Sequence, residues 1–171
     1  MFVFTMREHN IMAKTPEGWV KDRIKEILDE RKLKYFMPMT MGYGKSGEPD
    51  FDVCLYGISV KVEAKEDALR HRRGERITRG PNKGQVVRQG APTILQQQVM
   101  CEVRASGGIT LLVDRHNYKG LAAFIDEVRA LIQSGTLNLP FTGWLRQIVA
   151  CAIRNDVYYN HVPEVVCPVT Q

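Results

Sequence analysis

Hydrophobic and polar residues alternate most regularly over residues 47–65, and this alternation predicts two short β-strands around a tight turn. The apolar positions are Phe51, Val53 and Leu55 in the first strand and Val60, Val62 and Ala64 in the second. A two-residue turn between the strands pairs Leu55 with Ile58. The same register places Asp50 opposite Glu63, at the open end of the hairpin.

Helical periodicity on both sides of the hairpin predicts a central mixed β-sheet flanked by α-helices, which is an α/β fold. The expected elements, in chain order, are a helix from Pro16 to about Arg31, a strand within 34–41, the hairpin, a helix from about Thr93 to Ser106, a strand over 109–114, and helices from Lys119 to Gly135 and from Thr142 onward. Hydroxyl residues and proline at the helix starts and glycines at the helix ends support these limits.

Length and composition favour one domain spanning residues 1–171, since 44% of the 171 residues are hydrophobic. No apolar run reaches the ~20 residues that cross a bilayer, so we expect no membrane partner and a cytoplasmic location. The four cysteines and four histidines are scattered, which argues against a zinc site. Cys54 and Cys101 are expected as core thiols.

Charge is distributed unevenly along this basic chain. Residues 70–90 hold seven Lys or Arg and one acid, a net charge of +6, although the whole chain carries only +5. The basic residues are Arg70, Arg72, Arg73, Arg76, Arg79, Lys83 and Arg88, and Lys45 lies in the glycine-rich stretch before the hairpin. A concentrated patch of this kind attracts a polyanion such as DNA. A solvated loop without a specific partner is the alternative.

The hairpin gathers residues suited to metal-dependent phosphodiester hydrolysis. Asp50 and Glu63 are hard oxygen donors for Mg²⁺ or Mn²⁺, and the Ala64 carbonyl between Glu63 and Lys65 offers another oxygen. Lys65, on the same face as Glu63, could orient a water or stabilise negative charge in the transition state. An ordinary surface ladder of acidic and basic residues would give the same short pattern.

Two helices add polar residues at positions where apolar ones are expected. Glu17 precedes Val20 by three residues and is therefore predicted on the inward face of the first helix. It either points toward the metal or stabilises the helix N-terminus through the helix dipole. Gln96 precedes Val99 by three residues and is predicted on the inward face of the second helix.

In chain order, Glu17, Pro49-Asp50, Glu63-Ala64-Lys65 and Gln96 followed by Gly107-Gly108 resemble the PD-(D/E)xK nuclease superfamily. More narrowly, the stretch 15–114 is similar to the small virus-type replication-repair nuclease (VRR-NUC) family. The resemblance implies a restriction-endonuclease-like core over about 15–114. The basic insert at 70–90 is longer than the minimal pattern of the family requires, and the C-terminal helical extension at 119–171 lies outside the resemblance.

Site roles follow from this resemblance by position. It implies that Asp50, Glu63 and the Ala64 carbonyl bind the metal, that Lys65 acts at the water, that Glu17 assists through a water and that Gln96 supports the site. The implied activity is Mg²⁺-dependent cutting of branched or flapped DNA in replication, recombination or repair. A catalytically inactive DNA-binding module and a sequence-specific restriction-type enzyme stay open as alternatives. A homodimer formed by the apolar stripes of the C-terminal helices also stays open.

Overall fold

The computed structural model describes residues 15–38, 46–68, 76, 78–81, 83–85, 92–135 and 141–158. Its helices are α1 (Pro16–Glu30), α2 (Ile94–Ala105), α3 (Tyr118–Gln133) and α4 (Phe141–Arg154). Its strands are β1 (Lys34–Phe36), β2 (Phe51–Leu55), β3 (Ile58–Ala64) and β4 (Ile109–Val113). The predicted mixed α/β class is therefore confirmed.

The four strands form one sheet in the order β1-β2-β3-β4. The pairs β1–β2 and β2–β3 are antiparallel, whereas β3 and β4 are parallel and are joined through α2. A parallel pair needs such a crossover connection, and the basic stretch 70–90 belongs to it. β1 ends at Phe36, short of the expected limit, two residues before Pro38.

The hairpin register is the predicted one, because Leu55 pairs with Ile58 and Phe51 pairs with Val62. Tyr56 and Gly57 both have positive φ, of 50° and 89°. Two left-handed residues make the tight turn whose twist matches that of the flanking strands. The turn is local, so it fixes the register of every pair up to the open end of the hairpin.

One sheet face carries the main core, and α1, α3 and α4 cover it. The apolar residues of β2, β3 and β4 pack there against Ile24, Phe124 and Ile148, one from each helix. The predicted stripe of α3 is thus largely buried within the molecule, whereas that of α4 is buried at Ile148 and Ala152 and exposed at Ile153. Most of these apolar residues pack on the chain's own core, and they give the homodimer no support. Among the described residues, none of the helices has the length and apolar character needed to cross a membrane.

Helix α2 covers only part of the opposite face. A small second cluster joins Met100 of α2 to Leu112 of β4 and to Ala68. Toward β1 and β2 this face lacks a helix among the described residues, and Cys54 is exposed there. The expectation of a core thiol at Cys54 was therefore wrong, whereas Cys101 is buried as expected.

Candidate active site

Asp50 stands at the residue before β2, next to the last residues of β3. Its Oδ2 accepts a hydrogen bond from the Ala64 backbone N–H at 3.0 Å. Gly47 leads into it with φ of 89°, and a Cβ there would lie 2.7 Å from Leu95 of α2. Glycine fits this positive φ and leaves room for Leu95, and it therefore lets the backbone before Asp50 pass close to the helix that also carries Gln96.

Glu63 is the buried centre of the site, with 0% of its surface exposed. It lies on the α2 face of β3, opposite the face that bears the main core. Its Oε1 is 2.5 Å from Lys65 Nζ and accepts a hydrogen bond of 2.6 Å from Gln96 Nε2. Its Oε2 is buried and has no hydrogen-bond partner among the described residues. One oxygen is thus fixed and the other is left with unused bonding capacity.

Burial changes the chemistry of this carboxyl group. Desolvation raises the pKa of Glu63 from its ordinary value of 4.5 to about 7, against the opposing attraction of Lys65. The negative charge of Asp50 adds to the increase, and that of Glu17 does so more weakly. The three carboxylates therefore influence one another, as expected when acidic groups converge on one place.

The Ala64 carbonyl faces a position that cannot donate to it. The register, continued two residues beyond the Phe51–Val62 pair, sets Pro49 opposite Ala64. This is a position where the two strands of an antiparallel pair would exchange hydrogen bonds, but proline has no N–H. Asp50 takes the Ala64 N–H through its side chain instead. The Pro-Asp sequence thus leaves this carbonyl without its usual antiparallel donor.

Gln96 is held in one orientation by two separate sets of contacts. Its side-chain Oε1 accepts from the Thr93 backbone N–H at 2.8 Å, and its backbone N–H donates to Thr93 Oγ1 at 3.2 Å. These two hydrogen bonds form a capping box at the start of α2. The amide nitrogen must therefore point away from the cap, and it donates to Glu63. Of the three consecutive glutamines, Gln96 is the one that contacts the site.

Glu17 is not on a buried face, which corrects the sequence prediction. Its side chain is 40% exposed, in the first turn of α1. It reaches the site indirectly, because Lys21 Nζ lies 3.0 Å from Glu17 Oε1 and 2.7 Å from Asp50 Oδ1. Burial lowers the pKa of Lys21, but the bonds to Asp50 and Glu17 outweigh that effect and raise it.

Lys21 is the site residue that sequence reasoning missed. Its spacing of four residues from Glu17 indicates a helical ion pair, but this signal is common on helix surfaces. Nothing in the local pattern predicts the longer-range contact with Asp50.

A second polar cluster, also missed, follows the carboxyl ends of β3 and β4. Asp67 is buried, and its Oδ2 lies 2.9 Å from Arg115 Nη2 and 3.4 Å from His116 Nε2. Asp114 Oδ2 accepts from the Ala68 backbone N–H at 2.8 Å. These contacts tie the segment after Lys65 to the turn before α3 and thereby hold the strand end that carries the site.

The basic segment is described only in part. Arg76, Arg79 and Lys83 are exposed, and Arg76 Nη1 donates to the Gly84 carbonyl at 2.6 Å. The other residues predicted to contact DNA, Lys45, Arg70, Arg72, Arg73 and Arg88, lie outside the described residues.

The oxygen donors of the site match the needs of a Mg²⁺ ion. Within the described ranges, no group of three or more His, Cys, Asp or Glu side chains is placed to hold a metal ion. Mg²⁺ needs fewer, since it typically keeps several waters and takes one or two carboxylates. Asp50, the unsatisfied Glu63 Oε2 and the Ala64 carbonyl fit this smaller requirement.

Comparison of the chain with protein-family models, curated proteins and solved structures gave no match.

Proposed function

We propose that this chain is a Mg²⁺-dependent DNA endonuclease of the PD-(D/E)xK superfamily, similar to the VRR-NUC family, with a restriction-endonuclease-like core. The observation that carries the proposal is the fully buried Glu63, held by Lys65 and Gln96 and left with one unsatisfied oxygen beside Asp50. A buried carboxylate with an unpaired oxygen destabilises the fold unless a ligand compensates for it. Such a group is a signal of a functional site.

Mg²⁺ would be held by Asp50, Glu63 and the Ala64 carbonyl, with Glu17 acting through a water, and Mn²⁺ could replace it because it accepts the same oxygen donors. When bound, the cation supplies Lewis acidity that offsets charge on a phosphate and activates a water. Gln96 contributes by holding Glu63 Oε1, which leaves Oε2 as the oxygen available to a ligand.

Lys65 provides the remaining chemistry at the reacting phosphate. Its ammonium group has three N–H donors, and the Glu63 contact at 2.5 Å fixes its position. The other donors can orient the attacking water or stabilise negative charge that develops on the phosphate oxygens. Its side chain is only 12% exposed, and charge stabilisation is stronger in such a place than in bulk water.

The basic segment would bind the phosphate backbone of DNA near this site. It begins within five residues of Lys65 and carries a net charge of +6. Backbone contacts position DNA without reading its sequence. The proposed preference for branched or flapped DNA comes from the resemblance to the VRR-NUC family. The proposed role is in replication, recombination or repair in the cytoplasm, with residues 1–171 as a single nuclease domain.

Cleavage assays on the purified full chain test the proposal. Labelled linear, flapped and four-way DNA would be incubated with Mg²⁺, with Mn²⁺ or with EDTA. We expect Mg²⁺-dependent nicking that falls at least about 100-fold in Asp50→Ala and in Lys65→Ala, a loss typical of removing a charge-stabilising group.

The same two strands offer a matched control pair. Asp52 Oδ2 and Lys61 Nζ lie 2.7 Å apart, in a pair two residues nearer the turn on each strand, and Lys61 Nζ also lies 3.6 Å from Glu48 Oε2. Asp52→Ala and Lys61→Ala change the same charges and should retain cleavage. The proposal fails if the wild type cuts none of the substrates, or if Asp50→Ala and Lys65→Ala cut as well as these controls.

DNA binding by the basic segment has its own readout. Replacing Arg76, Arg79 and Lys83 together by alanine should weaken duplex binding and lower the slope of log K against log[salt] by up to about 3, since each phosphate contact contributes about 0.9. Fluorescence anisotropy over a salt series measures both quantities. An unchanged slope would mean that these residues do not contact phosphates.

A further inference from the structure

Lys21 occupies the place at which Asp50 would meet a cation. Its ammonium group lies 2.7 Å from Asp50 Oδ1 and 3.0 Å from Glu17 Oε1, and 27% of the side chain is exposed. The other Asp50 oxygen, Oδ2, already accepts from the Ala64 N–H. Both oxygens of Asp50 are therefore engaged, whereas Glu63 Oε2 has no hydrogen-bond partner among the described residues.

We propose that Lys21 is an internal counter-ion that competes with the divalent cation for Asp50, so that cation binding displaces its ammonium group. The inference rests on the proposed function, because it takes Asp50 as a ligand of the cation. It goes further than the proposed function, because Lys21 lies outside the Pro-Asp and Glu-Ala-Lys patterns and would lower the affinity of the site for the cation.

Charge balance explains why the Lys21 ammonium group and a divalent cation are not readily held together. The carboxylates of Glu17, Asp50 and Glu63 carry at most three negative charges, and Lys21 and Lys65 return two positive ones. A divalent cation added to this set would leave a net positive charge in a partly buried place. An ammonium ion beside that cation is repelled at short range, and the repulsion grows as water is excluded.

Displacement of Lys21 is feasible because of where the residue lies. It is on the second turn of α1, partly exposed, and its long side chain can turn into solvent. Lys65 has no such freedom, since only 12% of its side chain is exposed. The two lysines therefore have different roles: Lys65 stays fixed at Glu63, whereas Lys21 can be displaced from Asp50.

A titration with Mn²⁺ alone tests the competition without any need for cleavage. Isothermal titration calorimetry would compare the full-length wild type with Lys21→Met, which keeps the length of the side chain and removes its charge. Lys25→Met is the matched control, because Lys25 lies one turn further along α1 and is 3.9 Å from Asp22, away from the site. Circular dichroism and thermal melting would establish that each variant is folded.

We expect Lys21→Met to bind Mn²⁺ about tenfold more tightly than the wild type, because one charged hydrogen bond to the ligand no longer has to be broken. Lys25→Met should stay within about twofold of the wild type, as expected for a change in an exposed charge. In the wild type, the side-chain amine resonance of Lys21 should shift on addition of Mg²⁺ in NMR spectra, and this readout needs no variant.

The outcomes separate the inference from the proposed function. Equal or weaker Mn²⁺ binding by Lys21→Met, or a Lys21 resonance that Mg²⁺ leaves unmoved while it binds, overturns the competition and leaves the metal site standing. Absence of Mn²⁺ binding in all the folded proteins overturns both. Loss of binding in Asp50→Asn, together with tighter binding in Lys21→Met, supports both.

Discussion

Glu63 makes the stability of the cation-free protein depend on pH in a direction opposite to that of most surface carboxylates. Its pKa is about 7 in the folded chain, against an ordinary value of 4.5 that also describes the unfolded chain. Between these values the folded protein keeps a proton that the unfolded chain has lost. Stability must therefore fall as the pH rises through this window, and the loss is complete above pH 7.

The size of this effect follows from the difference between the two pKa values. That difference corresponds to about 3 kcal/mol over the whole window, and most of it falls between pH 5 and pH 8. Glu63→Gln removes the titrating group, so the free energy of unfolding of this variant should lose that part of the pH dependence. The comparison uses the change with pH, because the substitution also alters the contact with Lys65 at every pH.

Urea unfolding in EDTA at the two pH values measures both proteins. The stability of Glu63→Gln minus that of the wild type should increase by about 2–3 kcal/mol from pH 5 to pH 8. Glu66→Gln is the control, since it removes a carboxylate that is 43% exposed and should follow the wild-type curve. A difference between Glu63→Gln and the wild type that stays constant, or that shrinks with pH, would refute the argument that Glu63 is desolvated.

Further substitutions test the support of the site and the core. Gln96→Leu should weaken Mn²⁺ binding about 10- to 100-fold, as expected for the loss of a residue that orients a metal ligand. Gln98 is exposed, and Gln98→Leu should leave Mn²⁺ binding unchanged. Equal effects of the two substitutions in calorimetry would contradict the role of Gln96. Phe124→Ala should lower the free energy of unfolding by about 3–5 kcal/mol in urea, because the ring is fully buried between α3 and the sheet. A loss below about 1 kcal/mol would mean that α3 does not pack on the core as described.

The order of the elements was accessible from the sequence because their signals are local. Thr15 and Thr93 cap the helices that follow them, and periodicity marks the buried face of each helix. The tight turn at residues 56–57 set the register of the hairpin, and with it the position of Asp50 relative to Glu63. Short-range geometry was sufficient for all of these predictions.

Predictions that depended on coverage by distant elements were less secure. Cys54 lies in an apolar strand but is exposed, because it faces away from the main core and α2 covers a different part of that side of the sheet. Glu17 has the spacing of an inward residue, but its side chain is 40% exposed in the first turn of α1. Helical spacing describes a face, whereas the tertiary structure decides how far along the helix that face is covered.

The sequence by itself thus determined that Asp50, Glu63 and Lys65 share the open end of one hairpin, since the turn and the two-residue period of the strands permit no other arrangement in that register. The tertiary structure alone decided that Glu63 is fully buried under α2, with Gln96 on one of its oxygens, and that Lys21 of α1 pairs with Asp50. Burial and ion pairing are set by groups distant in the chain, and no local pattern can encode the distance between them.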